Sequence, residues 1–294
     1  MALSRYPTVL PPMLAERVSN FRQTAQWRRS LDIWVPAGIL ILLVLACFFG
    51  PFIFGLPGPN AGSLLDARLP LFSAGHIFGT DAIGNDLLSR ALYGGQISIE
   101  VGLGSMLIGF VVGGSLGVIG GYRGGILDIV IMRLLDMFLA FPSIILAFVV
   151  ATFLGANEIN VIFAISFFTV PAFARLARAT TLQLRERGFV IATRLLGARE
   201  RDVLIRHVVP NVIPSLMTYG LLTVAIAMFI EAALSFLGLG IPAPQPSWGS
   251  TIASGQQYLS NAPAIVLVPS VFLFTAVASL NSLGNALRTR IESQ

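Results

Sequence analysis

Long apolar stretches recur along this chain, and they restrict its fold more than any other feature of the sequence. The first begins at Val35 and ends near residue 54, and five more follow at roughly residues 97–119, 126–153, 161–176, 212–237 and 264–287. A helix of about 20 apolar residues matches the ~30 Å hydrocarbon thickness of a bilayer. The first stretch is also longer than the core of a cleaved secretion signal, about 7 to 15 residues. The sequence therefore predicts an all-α, polytopic membrane protein with six transmembrane helices.

The composition agrees with a membrane protein. Of the 294 residues, 55% are hydrophobic and only 11% are charged, and the mean hydropathy is +0.81, whereas about 25% of the residues of a soluble domain are charged. The positions of the arginines are more informative than the net charge of +5, and we expect the lipid bilayer rather than nucleic acid as a partner. Cys47 is the single cysteine, so no disulfide forms within the chain.

All 19 basic residues are arginine, and the chain contains no lysine. A Walker A loop ends in Gly-Lys followed by Ser or Thr, because its lysine contacts the phosphates of ATP. We therefore expect no cofactor in this chain and no enzymatic activity. The sequence also contains no paired catalytic carboxylates and no Cys/His cluster that would bind a metal. Uphill transport would then be driven by another subunit or by an ion gradient.

The apolar stretches divide the chain into five parts. These are an N-terminal segment 1–34, a first transmembrane helix 35–56, a loop 57–95, a core of five helices 96–287 and a tail 288–294. Residues 189–211 form the longest charged segment. They belong to a predicted cytoplasmic loop 180–211, within the core, which is called the charged loop below.

Arginine placement predicts the side of the membrane on which each part lies. Loops on the cytoplasmic side carry an excess of Arg and Lys. With the N-terminus inside, only Arg68 and Arg90 lie outside, whereas the N-terminal segment, the charged loop and the tail all carry arginines. Both termini and the charged loop are therefore predicted to be cytoplasmic, and the loop 57–95 extracytoplasmic. His76 and His207 then lie on opposite sides and cannot share a metal ion.

The charged loop contains the pattern of two short helices. Phe189, Ala192 and Leu196 occur at i, i+3 and i+7, which predicts an amphipathic helix. Gly197 follows and can end that helix in a left-handed conformation. A second amphipathic piece from residue 199 to 209 is predicted to stop at Pro210. This arrangement predicts a docking site, although most Arg-rich loops only fix topology.

Four glycines at steps of four residues lie on one face of the second apolar stretch. Because lipid provides little hydrophobic drive between helices, such faces allow close backbone packing. We expect a helix-packing role for these residues, which are Gly109, Gly113, Gly117 and Gly121.

Ionisable residues within the apolar stretches mark a further set of candidates. Placing a charged side chain at the centre of a membrane helix costs ~2.5 to 3.5 kcal/mol of insertion free energy. Asp128, Arg133 and Asp136 lie in the third stretch, where Arg133 and Asp136 are spaced to pair at i and i+3. They form either a structural ion pair or part of a proton relay. Glu231, in the fifth stretch, either faces a water-filled path or caps a neighbouring helix.

The charged loop resembles the EAA loop of ABC importer permeases. In that loop a pair of small residues precedes a glycine, and a proline follows the glycine 13 positions later. Ala192 and Thr193 match the small pair, Gly197 matches the glycine and Pro210 matches the proline. Ile191 stands where the family has glutamate, so a contact that uses that carboxylate is missing or made otherwise.

Four further stretches resemble the second permease subunit of the dipeptide, oligopeptide and nickel ABC importers. They are residues 78–98, 121–146, 231–249 and 279–292. Asn85 and Gln96 replace arginines that are common in the family, and Asn285 replaces an aspartate.

The resemblance implies a type I ABC importer fold in a prokaryotic plasma membrane. It further implies a homologous partner permease, two ATPase subunits that hold ATP and Mg²⁺, and an extracytoplasmic substrate-binding protein that docks near residues 239–260. Residues 189–197 would insert into a groove of one ATPase. The solute would be a peptide, a nickel chelate, haem or a glutathione-like molecule.

Two other function classes compete with an ABC permease. A proton-coupled secondary transporter would use Asp128, Asp136 and Glu231 as a relay. A membrane scaffold would move no solute at all.

Overall fold

The computed structural model describes the backbone of residues 12–292 and the side chains of residues 31–290. Residues 1–11 and 293–294, which belong to the predicted N-terminal segment and tail, lie outside the described residues. Within residues 12–292 the chain forms helices and turns and contains no β-strand, which confirms the all-α prediction.

The helices are numbered in chain order. They are α1 (Pro12–Ile53), α2 (Leu87–Ile108), α3 (Gly114–Arg123), α4 (Gly125–Leu139), α5 (Ser143–Leu154), α6 (Glu158–Arg185), α7 (Gly188–Leu195), α8 (Glu200–Val203), α9 (Val209–Phe236), α10 (Trp248–Gly255) and α11 (Ala264–Glu292). Single π-helical turns join α2 to α3 at Gly109–Gly113 and α8 to α9 at Leu204–Val208.

Five helical segments in the described part of the chain are long and apolar enough to cross a membrane. They are Leu31–Ile53, Leu87–Arg123, Glu158–Arg185, Glu200–Phe236 and Ala264–Arg290. The third predicted stretch differs, because α4 and α5 meet at an angle of 87°. The prediction of one continuous span over residues 126–153 is therefore wrong, and a sixth span exists only if this bent pair is counted as one.

The bend in the third stretch follows from Pro142. Proline has no N–H for the helical hydrogen bond, and its ring disfavours a helical conformation at the preceding residue, Phe141. α4 accordingly ends at Leu139, and Pro142 is extended, with a ψ of 133°, before α5 begins.

The second span begins at Leu87, earlier than the predicted start near residue 97. Asp86 caps the helix, because its carboxylate accepts a hydrogen bond from the Ser89 backbone N–H at 2.7 Å. Arg90 lies in the first turn with its Nε 3.4 Å from the Asp81 carboxylate. The predicted loop 57–95 therefore ends at Asp86. A search for apolar stretches missed this helix start, because the paired Arg90 interrupts the apolar sequence in the first turn of α2.

α9 lies at the centre of the bundle and packs against α2, α6, α10 and α11. Its side chains enter three buried apolar clusters. Met228 packs in a cluster with α1 and α11, Ile230 in a cluster with α5 and α6, and Leu216 in a cluster with α3 and α7. α9 continues from the charged loop, so it connects that loop directly to the rest of the bundle.

The bundle has two distinct ends. Residues 57–86 and α10 lie together at one end, where the Trp248 indole N–H donates to the Ala91 carbonyl oxygen at 2.7 Å. The charged loop lies at the other end, beside Tyr122 near the end of α3.

Candidate functional site

The charged loop contains a short helix, α7, that leaves one apolar surface uncovered. α7 spans Gly188–Leu195, and Gly197 follows it in the left-handed region with a φ of +82°. Only glycine adopts this conformation at little cost. The helix and its glycine end therefore lie where the spacing of Phe189, Ala192 and Leu196 predicts them.

The two sides of α7 differ sharply in burial. Val190 is fully buried, whereas Leu195 and Leu196 are 83% and 88% exposed. Phe189 and Ile191 are each 45% exposed. Together with the exposed Ala192, these four form the α7 apolar face: Phe189, Ile191, Ala192, Leu195 and Leu196.

The sequence pattern found only part of this face. Phe189, Ala192 and Leu196 were identified, but Leu195 was missed, although it lies four residues after Ile191 on the same side of the helix.

Thr193 lies toward the buried side, and its hydroxyl donates to the Phe189 carbonyl oxygen at 2.7 Å. Ile191, the departure from the family pattern, is part of the exposed apolar surface.

Val190 fixes the opposite side of α7 to the bundle. It packs in a buried cluster with Phe173 and Ala177 of α6, Val203 of α8 and Val212 of α9. Sequence reasoning did not single out Val190, since a lone valine in an arginine-rich segment carries no motif. This contact orients α7 so that its apolar face points away from the bundle.

Pro210 does not end a helix, and that prediction is wrong. α8, the π-helical turn Leu204–Val208 and α9 form one helical segment from Glu200 to Phe236. Pro210 lies in the first turn of α9, where the missing N–H of proline is tolerated. Pro210 therefore lies inside a continuous helical segment, directly after the π-helical turn.

Tyr122 connects α3 to the charged loop through several contacts. Its hydroxyl donates to the Glu200 carboxylate and lies 3.2 Å from the Glu200 carbonyl oxygen. Arg194 stacks its guanidinium 5.0 Å from the Tyr122 ring centre and approaches the Glu200 carboxylate at 3.4 Å. Arg185 donates to the Tyr122 carbonyl oxygen at 3.2 Å. Hydrogen bonding to Tyr122 raises the pKa of Arg194 although partial burial acts to lower it, and the nearby Glu200 charge also contributes to the rise. These four residues are called the Tyr122 node.

Asp128 and Asp136 of the third stretch both lie in α4 and pair with arginines of α6, not with an arginine of their own helix. Both oxygens of Asp128 accept hydrogen bonds from Arg178 at 2.6 Å. Asp136 pairs with Arg175, also at 2.6 Å. The predicted pairing of Asp136 with Arg133 is therefore wrong, because the partner comes from the neighbouring helix. Each aspartate is therefore held by an arginine of α6.

Glu231 is fully buried at the other end of the bundle. Its carboxylate accepts hydrogen bonds from the hydroxyls of Ser98 at 3.1 Å, Ser235 at 2.8 Å and Ser247 at 2.7 Å. Ser247 is the N-cap of α10 and accepts from the Ser250 backbone N–H. Glu231 thus supports the cap of a neighbouring helix and is enclosed by protein in this chain. Glu231 and its three serines are called the Glu231 hub.

The four glycines of the second span line its contact with α6. The pairs along this contact are Gly109 with Thr169, Gly113 with Val170, Gly117 with Ala174 and Gly121 with Arg178. A Cβ atom at Gly117 would collide with the Ala174 carbonyl oxygen. Only glycine allows the two backbones to approach so closely.

Among the described residues, no three His, Cys, Asp or Glu side chains lie together as a metal site. His76 instead pairs with Asp86 through its Nδ1 at 2.8 Å. The aspartates and Glu231 lie in separate places with separate partners, so they do not form a chain along which a proton could pass. The proton-coupled alternative is not supported.

Comparison with known proteins identifies the family. Residues 113–293 match the family described as binding-protein-dependent transport system inner membrane component. The chain is 35% identical over 269 residues to the glutathione transport system permease protein of Pectobacterium atrosepticum, covering 90% of this chain and 89% of that protein. It is 34% identical over 276 residues to the dipeptide transport system permease protein of Alkalihalophilus pseudofirmus, covering 94% and 90%.

A third relative extends the similarity to nearly the whole chain. The glutathione transport system permease protein of Escherichia coli is 33% identical over 299 aligned residues, which cover 99% of this chain and 95% of that protein. These matches confirm the resemblance drawn from the charged loop and the four further stretches. The chain belongs to the binding-protein-dependent transport inner membrane components and is a permease subunit of an ABC importer with the type I fold.

Proposed function

We propose that this permease forms, with a homologous but non-identical permease, the path for di- or oligopeptides or a related solute such as glutathione. The names of the relatives, which refer to dipeptide and glutathione transport, support this solute class. Both solutes carry amide groups and carboxylates, so a similar path would suit either. An external binding protein would deliver the solute at the end of the bundle formed by residues 57–86 and α10.

The charged loop faces the cytoplasm in this proposal, and both termini lie on the same side. The support is the arginine distribution, because the charged loop is rich in arginine whereas residues 57–86 contain only Arg68. ATP and Mg²⁺ would be bound by two separate ATPase subunits, since this chain lacks the lysine of a phosphate-binding loop.

The α7 apolar face is the surface that we assign to an ATPase subunit, and its exposure is the observation that carries the proposal. Large apolar side chains rimmed by charged residues are typical of protein contacts. Ile191 makes this surface apolar where the family pattern has an acidic residue, so the ATPase groove would be apolar at that point. The exposed Arg187, Arg199 and Arg201 around the face would favour an acidic rim and speed association.

ATP would act by closing the ATPase pair and moving α7 with it. The charged loop is continuous with α6 and α9, so its displacement would shift both spans. Nucleotide can drive such a change only if it binds the inward-open and outward-open states with different affinities.

The test compares two equally exposed leucines at opposite ends of the bundle. Leu196→Glu changes the α7 apolar face, and Leu65→Glu changes a leucine that is 94% exposed in the other loop. Each variant would be co-expressed with the partner permease, the ATPase subunits and the binding protein. We expect Leu196→Glu to weaken ATPase copurification and ATP-driven uptake of labelled dipeptide or glutathione roughly tenfold or more, since one central contact often carries that much energy.

Leu65→Glu should leave ATPase copurification unchanged. The coupling proposal is wrong if Leu196→Glu complexes retain both their ATPase subunits and their uptake. Uptake into vesicles that hold ATP but no proton gradient tests the energy source, and loss of uptake there would contradict ATP coupling.

A further inference from the structure

Three parts of the charged-loop end meet at one side chain. Tyr122 receives Arg185 from the end of α6, Arg194 from α7 and Glu200 from α8. Tyr122 is only 7% exposed and belongs to the apolar cluster that also holds Val190. The polar edge of the ring therefore contacts the charged loop while its apolar surface is fixed in the bundle.

Tyr122 also lies near the end of the span that carries the four glycines. Gly121 precedes it and faces Arg178, and Gly117 lies against Ala174 one turn earlier. The glycines let α3 approach the backbone and side chains of α6 closely, so a displacement of α3 would be passed to α6 through direct contact. The π-helical turn Gly109–Gly113 interrupts the same span farther along, and such turns often occur at functional positions.

We propose that Tyr122 is a positioning residue that ties the charged loop to α3, so that movement of α7 is passed to the glycine-lined span and ATP hydrolysis stays coupled to transport. This inference rests on the proposed function of α7 as the ATPase contact. The hydroxyl is the essential group, because it is the only part of the Tyr122 side chain that hydrogen-bonds to Glu200. Contacts with a charged partner are stronger and more directional than apolar contacts.

The apolar contact of Val190 cannot supply this link alone. Val190 holds α7 against α6, α8 and α9, but packing between aliphatic groups is non-directional. The Glu200 contact fixes a direction between α8 and α3, and Arg194 joins α7 to the same carboxylate. A pull on α7 therefore reaches α3 through Tyr122.

The experiment separates the hydroxyl from the ring. Tyr122→Phe keeps the buried ring and the stacking of Arg194 on it but removes the hydrogen bonds that the hydroxyl makes with Glu200 and Arg194. Tyr219→Phe is the matched control, because Tyr219 packs against the same apolar cluster and its hydroxyl contacts Thr223. Both are measured in the complete complex, reconstituted in vesicles with the binding protein and labelled dipeptide or glutathione.

We expect the Tyr122→Phe complex to retain its ATPase subunits and to hydrolyse ATP, but to import roughly fivefold less solute per ATP, as expected for loss of one charge-assisted hydrogen bond. Tyr219→Phe should keep the wild-type ratio. Glu200→Ala removes the side-chain acceptor of the Tyr122 hydroxyl and should lower the ratio as Tyr122→Phe does. The double variant should be no worse than either single variant, because both changes remove the same hydrogen bond.

The outcomes distinguish this inference from the proposed function. A wild-type complex without ATP-driven uptake overturns both. If the wild type imports solute and Tyr122→Phe keeps the wild-type ratio of solute to ATP, the inference alone is wrong. Equal losses of total uptake and ATP hydrolysis in Tyr122→Phe, with the ratio unchanged, would assign the residue a purely structural role and also overturn the inference.

Discussion

The two ends of this permease are each organised around a polar contact, and the contacts have opposite character. The Glu231 hub is fully enclosed and uses hydroxyl donors from α2, α9 and the start of α10. The Tyr122 node combines an enclosed tyrosine with charged partners at the surface, and the Glu200 side chain is 67% exposed. One contact is shielded from water and the other is open to it.

This difference determines how easily each contact can be broken. Separating the Glu231 hub would leave a carboxyl group without partners in the interior, which is costly. The ion pair between Glu200 and Arg194 can be replaced by hydrogen bonds to water at little cost in free energy. The structure thus combines an enclosed end, which holds α10 in place, with an end whose outer ion pair, Arg194–Glu200, is open to water while Tyr122 itself is buried.

The largest expected effect is at the Glu231 hub. Glu231→Ala removes the acceptor of three buried hydroxyls, and we expect it to lower the free energy of unfolding by about 3–5 kcal/mol. Glu200→Ala is the matched control at the other end and should cost less than about 1 kcal/mol. Thermal unfolding of the purified proteins in detergent measures both. Similar losses for the two variants would remove the contrast between the ends.

An intermediate effect is expected at the glycine contact, which lies between the two ends. Gly117→Val places a branched side chain against the Ala174 carbonyl oxygen, and overpacking of this kind costs about 1–3 kcal/mol. Gly38 in α1 has nothing within 4 Å of an added Cβ, so Gly38→Val serves as the control. The same unfolding measurement applies. If Gly117→Val is as stable as Gly38→Val, α3 and α6 do not pack as closely as described.

The smallest expected effect concerns the Asp128–Arg178 pair, near the charged loop. Asp128→Asn removes the bidentate ion pair. The Asp128 side chain is only 10% exposed, but the Arg178 side chain is 36% exposed, so water still reaches the arginine and we expect a loss of about 1 kcal/mol. Raising the salt concentration from about 0.05 to about 0.5 M should reduce this loss, because salt screens exposed charges. The loss caused by Glu231→Ala should stay constant. A salt dependence shared by both variants would contradict the distinction between open and enclosed contacts.

Helix positions were predicted well wherever local pattern was sufficient. The spacing of Phe189, Ala192 and Leu196 predicts α7, and Gly197 predicts its end, because amphipathic periodicity and left-handed glycine are local properties. The same local rules failed at two prolines. Pro142 splits the third stretch at an angle of 87°, whereas Pro210 sits within a continuous helical segment. A proline does not by itself specify whether a helical segment breaks or continues.

The sequence did not predict which side chains form ion pairs and hydrogen bonds with the buried and partly buried acidic residues. Asp136 has Arg133 at helical spacing but pairs with Arg175 from α6, and the hydroxyls that meet Glu231 come from residues as distant as Ser98. Such contacts depend on which faces of distant helices meet, and residue spacing within one helix does not contain that information.

The sequence by itself determined the membrane class, the family and the site of the short helix in the charged loop, because hydropathy, motif spacing and helical periodicity are properties of short segments. Tertiary structure alone decided which side of α7 is buried, which arginine holds each aspartate and why Glu231 can be enclosed. Those outcomes depend on packing between helices separated by many residues, where a buried polar group must find its partners or destabilise the fold.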